Sequence, residues 1–107
     1  MPSSKAAQNL EKLLGTPRDG ALLRYSLGLE YAKASDPRAI DQLREAVLRD
    51  PLYSAAWKAL GRLLAEAARD EEAREAYRQG IDAARKRGDR QAEKEMSVFL
   101  KRLERRA

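Results

Sequence analysis

Residues 55–64 read AAWKALGRLL, and the glycine inside this run decides the fold. The spacing of its apolar residues predicts a helix, yet an interior Gly costs about 1 kcal/mol relative to Ala. Something must offset that cost. An upstream stretch shows what it is. LGLEYA at 27–32 aligns with LGRLLA at 60–65, at a spacing of 33. Ala39, Leu43, Ala46 and Val47 then align with Ala73, Tyr77, Gly80 and Ile81, at a spacing of 34. A two-helix unit recurs, and its glycines fall where two helix axes pass closely and the contacting residues must be small. Gly28 and Gly61 are expected to face Ala39 and Ala73, with Ala46 and Gly80 placed where the next unit stacks.

Outward from the repeat, the helix starts are well marked. Thr16-Pro17 sets a capping hydroxyl before a first-turn proline, with Asp19 near the positive end of the dipole. Asp36-Pro37 and Asp50-Pro51 repeat the device, Asp70 precedes EEAREAY, and Gly88-Asp89 ends one helix and caps the next. These signals predict helices over 4–14, 17–34, 37–49, 52–68, 71–87 and 90–105. Short connections make consecutive helices antiparallel neighbours. The first helix shows an apolar stripe of Ala6, Leu10, Leu13 and Leu14. The last shows Ala92, Met96, Phe99, Leu100 and Leu103.

Composition agrees with an all-α protein. The 107 residues carry few β-branched side chains, one Phe and one Trp. A chain of this length is expected to form one domain. There is no Cys, so no disulfide or thiolate metal site, and no His, the commonest acid/base residue and metal ligand. No apolar run approaches the roughly 20 residues that span a bilayer, and the start MPSSKAAQ lacks the apolar segment of a signal peptide. The expectation is a soluble, cytoplasmic protein that does not insert into membranes.

The repeating pattern resembles the tetratricopeptide repeat, W-x2-L-G-x2-Y followed by A-x3-F and P. The second unit reads Trp57, Leu60, Gly61, Leu64, Ala73 and Tyr77, with Arg85 in place of the proline. The first reads Arg24, Leu27, Gly28, Tyr31, Ala39, Leu43 and Pro51, with Arg24 in place of the Trp and an internal turn one residue short. The resemblance implies antiparallel hairpins stacked as a short right-handed superhelix in one domain. Residues 4–14 would form a preceding half-repeat, 17–50 and 51–87 the two repeats, and 89–105 a closing helix with one polar face.

Catalysis finds no support in these residues. The serines lie outside nucleophile-elbow or Ser-x-x-Lys settings, and no glycine-rich phosphate loop is present. Asp70, Glu71, Glu72 and Glu75 form the densest carboxylate group, which is what a helix N-terminus favours without any metal. Trp57 and Tyr77 lie on apolar stripes and are expected in the core. No enzyme activity and no cofactor are expected.

The resemblance implies a scaffold that holds a peptide or helix in a groove lined by the first helix of each unit. The residues off the core stripe are Leu22, Tyr25, Ser26, Leu29 and Lys33 in one such helix and Ala55, Lys58, Ala59, Arg62 and Glu66 in the other. Glu93 and Ser97 are expected to face the same way. Tyr25 and Leu29 are apolar, Ala55 and Ala59 leave room, and Lys58 and Arg62 are like charges four apart. Such a groove fits a protein or peptide with a hydrophobic anchor and an acidic group or terminal carboxylate. Alternatively, Arg62 pairs with Glu66, and Tyr25 and Leu29 are covered by the N-terminal helix or a second copy. The family's clamp for chaperone tails needs Asn, but Leu29 stands at such a place and Asn9 lies outside both repeats.

The net charge of +5 has one source, because residues 85–107 hold nine basic and four acidic side chains. Arg85, Lys86 and Arg87 end one helix, and Lys101, Arg102, Arg105 and Arg106 end the next. A basic cluster can bind nucleic acid or another anionic surface. Cations at helix C-termini are also what the dipole favours, and no aromatic residue interleaves these as a stacking platform. Self-association through the groove face is a third reading, against the expectation of a monomer.

Overall fold

The computed structural model describes residues 3–107 and contains, among them, six helices and no strand. They are α1 (Lys5–Glu11), α2 (Ala21–Lys33), α3 (Arg38–Arg49), α4 (Ser54–Glu66), α5 (Asp70–Arg87) and α6 (Arg90–Arg105). The chain packs as two compact units, one ending at Asp50 and one beginning at Pro51. In the first unit α2 pairs with α3, and α1 lies on α2. In the second, α5 packs between α4 and α6, and α6 also touches α4.

Two helix starts differ from expectation. Thr16-Pro17 opens a turn instead of a helix: the Asp19 N–H donates to the Thr16 carbonyl at 2.9 Å, and the Arg18 N–H donates to the Thr16 hydroxyl at 3.2 Å. Helix α2 begins only at Ala21, after Gly20. Pro51-Leu52 is likewise a turn, and α4 begins at Ser54. A Pro with a preceding oxygen acceptor suits a turn as well as a first helical turn, and here the turn prevails. Helix α1 ends at Glu11, short of residue 14, because the Leu13 and Leu14 N–H groups bond three residues back, to Leu10 and Glu11. Its buried residue is Ala7; Ala6 is exposed. Asp89 caps α6 as expected, accepting from the Ala92 N–H at 3.1 Å.

Three helices stop the same way. After α2, α4 and α5, the residues Ser35, Ala68 and Gly88 adopt φ of 53°, 59° and 71°. The next N–H reaches back five residues, from Asp36 to Tyr31, Arg69 to Leu64 and Asp89 to Ala84. This satisfies the last carbonyls. Only the third site has the glycine that left-handed backbone favours. Ala68→Gly is therefore expected to raise stability by about 1 kcal/mol, read as a higher urea midpoint with an unchanged slope.

The core of the first unit is Leu23, Leu27, Tyr31, Leu43 and Val47; that of the second is Leu60, Leu64, Tyr77, Ile81 and Met96. The repeat glycines do sit at close helix contacts, but their neighbours are larger than alanine. A Cβ on Gly28 would lie 2.9 Å from Leu43 Cγ and 3.4 Å from the Ala39 carbonyl oxygen. One on Gly61 would lie 2.6–2.8 Å from the Tyr77 ring, and one on Gly80 would run into Met96 and Trp57. Each glycine makes room for a large side chain of the adjoining helix. Tyr77 reaches Phe99 of α6, with ring centroids 5.7 Å apart.

Trp57 is only half-buried, unlike Tyr77. Its indole N–H donates to the Pro51 carbonyl at 2.8 Å, so the ring seals the start of α4 at the edge of the core. Arg24, which replaces the Trp in the first unit, holds Asp19 with two N–H donors at 3.0 Å each. A third donor reaches Gln42 Oε1 at 3.3 Å.

Candidate functional site

Helix α2 buries Leu23, Leu27, Gly28 and Tyr31 on one side. Off that side, Leu22, Tyr25, Leu29 and Lys33 fall three or four residues apart and make one row along the helix. Leu22 is 68% exposed, and Tyr25 and Leu29 are half-exposed. Lys33 is exposed, its Nζ 2.9 Å from Glu30 Oε1. The row is thus apolar for most of its length and polar at the helix end.

On α4, Ala55 and Lys58 are half-exposed and Arg62 is exposed, but Ala59 is 8% exposed and does not line an open surface. Ala59 lies on a helix that receives both α5 and α6. Lys58 Nζ pairs with Glu95 of α6 at 3.3 Å. Arg62 Nε stands 3.8 Å from Glu66 Oε1, an exposed, loose pair worth little. Glu95, rather than Glu93, is the α6 carboxylate turned toward α4. Glu93 accepts from Arg85 Nε at 2.8 Å, and the Ser97 hydroxyl donates to the Glu93 carbonyl. The apolar floor of α6 fixes this rotation, since burying Ala92 and Met96 sets which side each glutamate occupies.

The carboxylate group at the start of α5 is neutralised locally. Arg69 pairs with Glu72 at 2.7 Å, Arg74 with Glu71 at 2.7 Å, and Arg78 with Glu75 at 3.4 Å. Arg106, just past the end of α6, reaches Asp70 at 3.1 Å. The basic tail is also mostly engaged. Arg85 holds Glu93, Lys86 stands 3.5 Å from Asp82, and an Arg87 N–H donates to the Leu52 carbonyl. Arg102 lies over the Phe99 ring at 5.8 Å. Lys101 and Arg105 are exposed.

The sequence reading did not anticipate a polar clasp in the first unit. Glu11 of α1 accepts hydrogen bonds from the Tyr31 hydroxyl and, at 2.9 Å, from the Ser3 hydroxyl. Arg38 lies 4.3 Å above the Tyr31 ring, pairs with Asp36 at 2.7 Å and approaches Glu11 at 3.6 Å. These groups border a cavity of about 870 Å³ beside the turn from α2 to α3. No local spacing links residues 11, 31 and 38, so only tertiary structure discloses the clasp.

These contacts lower the titrations of the carboxyl groups they engage. Arg24, and then the Gly15 N–H, hold the Asp19 carboxyl well below the usual carboxylate range. The Tyr31 hydroxyl lowers the titration of Glu11, Arg38 that of Asp36, and Arg74 that of Glu71. Burial raises Tyr31 and Tyr77. A carboxyl with a depressed folded pKa binds more protons when unfolded, so its contribution is complete above the unfolded value and fades as pH falls. The urea midpoint is expected to hold from pH 7 to about 5 and drop below about pH 4. Asp19→Asn should lower the midpoint at pH 7 and flatten that drop.

No family model matches the chain. A TPR repeat-containing protein of Pseudomonas aeruginosa is 48% identical over 99 residues, covering 92% of this chain and 94% of that protein. The solution structure of a Bordetella parapertussis protein has a TM-score of 0.80 at 41% identity, covering 96% of this chain and 90% of the other. The crystal structure of a tetratricopeptide repeat domain protein from Salinibacter ruber has a TM-score of 0.75 at 30% identity, covering 80% and 97%. Among the described residues, no helix is long and apolar enough to cross a membrane.

Proposed function

The chain belongs to the tetratricopeptide-repeat family, and from that premise we propose that it is a non-catalytic, monomeric protein-interaction module that binds partner peptides or helices on the exposed face of the first helix of each repeat, α2 in one unit and α4 in the other. The observation that carries this reading is the row Leu22, Tyr25, Leu29 on α2, apolar side chains lying off the face that builds the core. Helix anchors of a partner at three- and four-residue spacing match such a row. On α4, Arg62 is the cation most open to an acidic group, because its pair with Glu66 is long and solvent-exposed. Lys58 would first have to leave Glu95. Binding through the basic tail is the weaker reading, since most of those cations already hold carboxylates, a carbonyl or a ring.

The test is capture from nuclease-treated native lysate on wild type, Leu29→Asp, the Lys58→Glu, Arg62→Glu double variant and, as a control in the basic tail, Lys86→Glu, each checked for helicity by circular dichroism. A protein retained by wild type and lost by both folded variants, but kept by Lys86→Glu, supports the reading. Equal retention by all of them overturns it.

A further inference from the structure

We propose that the outer face of α6 docks the phosphate backbone of a duplex nucleic acid through a row of four cations, Arg90, Lys94, Lys101 and Arg105. Helix α6 buries Ala92, Met96 and Leu103 on one side. On the opposite side Arg90, Lys94, Val98, Lys101 and Arg105 follow one another at intervals of three or four residues. They fall within about 80° of the helix circumference, and all five are exposed.

What sets these cations apart is that nothing holds them. Among the described residues, no carboxylate lies within ion-pair distance of Arg90, Lys94, Lys101 or Arg105. The acids of α6 are spent elsewhere or stand aside: Glu93 holds Arg85, Glu95 holds Lys58, and Glu104 is off the row. Residues 51–107 carry fourteen basic and ten acidic side chains. The excess of four equals the number of unpartnered cations in this unit, and all of them lie on this one face. Only Lys101 and Arg105 belong to the cluster that adjacency in the chain suggests. Arg85, Lys86 and Arg106, which hold Glu93, Asp82 and Asp70, lie outside the row.

The ligand follows from what the row contains and lacks. Val98, 43% exposed, is its one apolar side chain. That is too little for the apolar centre of a protein interface or for insertion into a bilayer. The row has no aromatic ring on which single-stranded bases could stack. A duplex backbone needs neither, because neutralised phosphates release their counterions and charge alone supplies the affinity. Arg90 and Arg105 are fifteen residues apart, about 22 Å along the helix axis. A duplex offers a charge about every 1.7 Å of its length, so each cation meets a phosphate. No internal ion pair has to break first.

The experiment is an anisotropy titration of a labelled duplex of about 20 base pairs with the full chain, over about 20 to 200 mM salt. Four phosphate contacts give a slope of log K against log salt of about −3.6. Lys94→Gln and Lys101→Gln should each reduce that slope by about 0.9, and Lys94→Glu with Lys101→Glu should weaken binding at least about ten-fold at low salt. Arg85→Gln and Leu29→Asp should change neither affinity nor slope. The substituted side chains on the row are exposed and unpaired, so the variants are expected to fold, as circular dichroism checks. Absence of salt-dependent duplex binding, slopes unchanged by the row variants, or an equal loss in Arg85→Gln would overturn the proposal. Tighter binding to the single strand or to phosphatidylglycerol vesicles would overturn it too. Nuclease removes this ligand from the lysate used to test α2 and α4, so the two readings fail separately.

Discussion

Leu43→Ala lowers the stability of the chain by about 3–5 kcal/mol, read as a fall in the urea midpoint followed by circular dichroism. Leu43 is fully buried and rests on Gly28, so truncation removes both its transfer free energy and the packing of a close helix contact. The informative measurement is Gly28→Ala in two backgrounds. In wild type the new methyl lies 2.9 Å from Leu43 Cγ and 3.0 Å from Cδ2, and overpacking cancels or exceeds the roughly 1 kcal/mol of helix propensity gained. In Leu43→Ala both of those atoms are gone, and the nearest remaining neighbour is the Ala39 carbonyl oxygen at 3.4 Å. Gly28→Ala should then stabilise by about 1 kcal/mol or more, refilling part of the cavity. A change of sign between backgrounds establishes that Leu43 is why position 28 is glycine. Additive effects would refute that account.

That contact also marks the boundary of what sequence alone discloses. The repeat, the helix count and the buried stripes are legible because each is a local periodicity or a recurrence at fixed spacing. The glycines' role is legible too, but not their partners. Matching Gly61 to Ala73 follows the one-dimensional pattern, whereas side-chain reach brings Tyr77 onto it. The turn at Thr16-Pro17 is misread for a related reason. Asp19 serves as a helix-start signal only if its acceptors stay local, and here they hold Arg24 of α2 while Arg49 of α3 stands 3.8 Å away.

The candidate surface divides the same way. Leu22, Tyr25 and Leu29 could be placed because a helix face is set by residue number once the core face is known. The state of the cations could not. Whether Lys58 is available depends on Glu95, which lies 37 positions later, and on a rotation of α6 fixed by the burial of Ala92 and Met96. The departure of Arg24 from the repeat pattern shows how one unit compensates. Where the second unit places an indole at the helix start, the first places a guanidinium whose three nitrogens each donate to Asp19 or Gln42.

Gly80→Ala is the second substitution with a large effect, about 2–3 kcal/mol of destabilisation despite the helix propensity it gains. Position 80 is where α5 receives a residue from each of its neighbours, Met96 from α6 and Trp57 from α4. A thioether can swing aside at small cost. Trp57 Cβ, 2.7 Å from the new methyl, cannot, because it is fixed to the α4 backbone and moves only if the helix moves. The two obstacles are separable. Met96→Ala removes the first, so Gly80→Ala measured in that background should lose part of its cost and keep the part due to Trp57. Gly61→Ala offers the contrast: its nearest contacts all belong to the Tyr77 ring, so Tyr77→Ala should relieve it almost wholly. Trp57 itself supplies the local readout. In Gly80→Ala its fluorescence should shift to the red before unfolding, as the indole loses its bond to the Pro51 carbonyl. A Gly80→Ala protein as stable as wild type, with unshifted emission, would mean that α4 and α5 are not held at the distance this glycine permits.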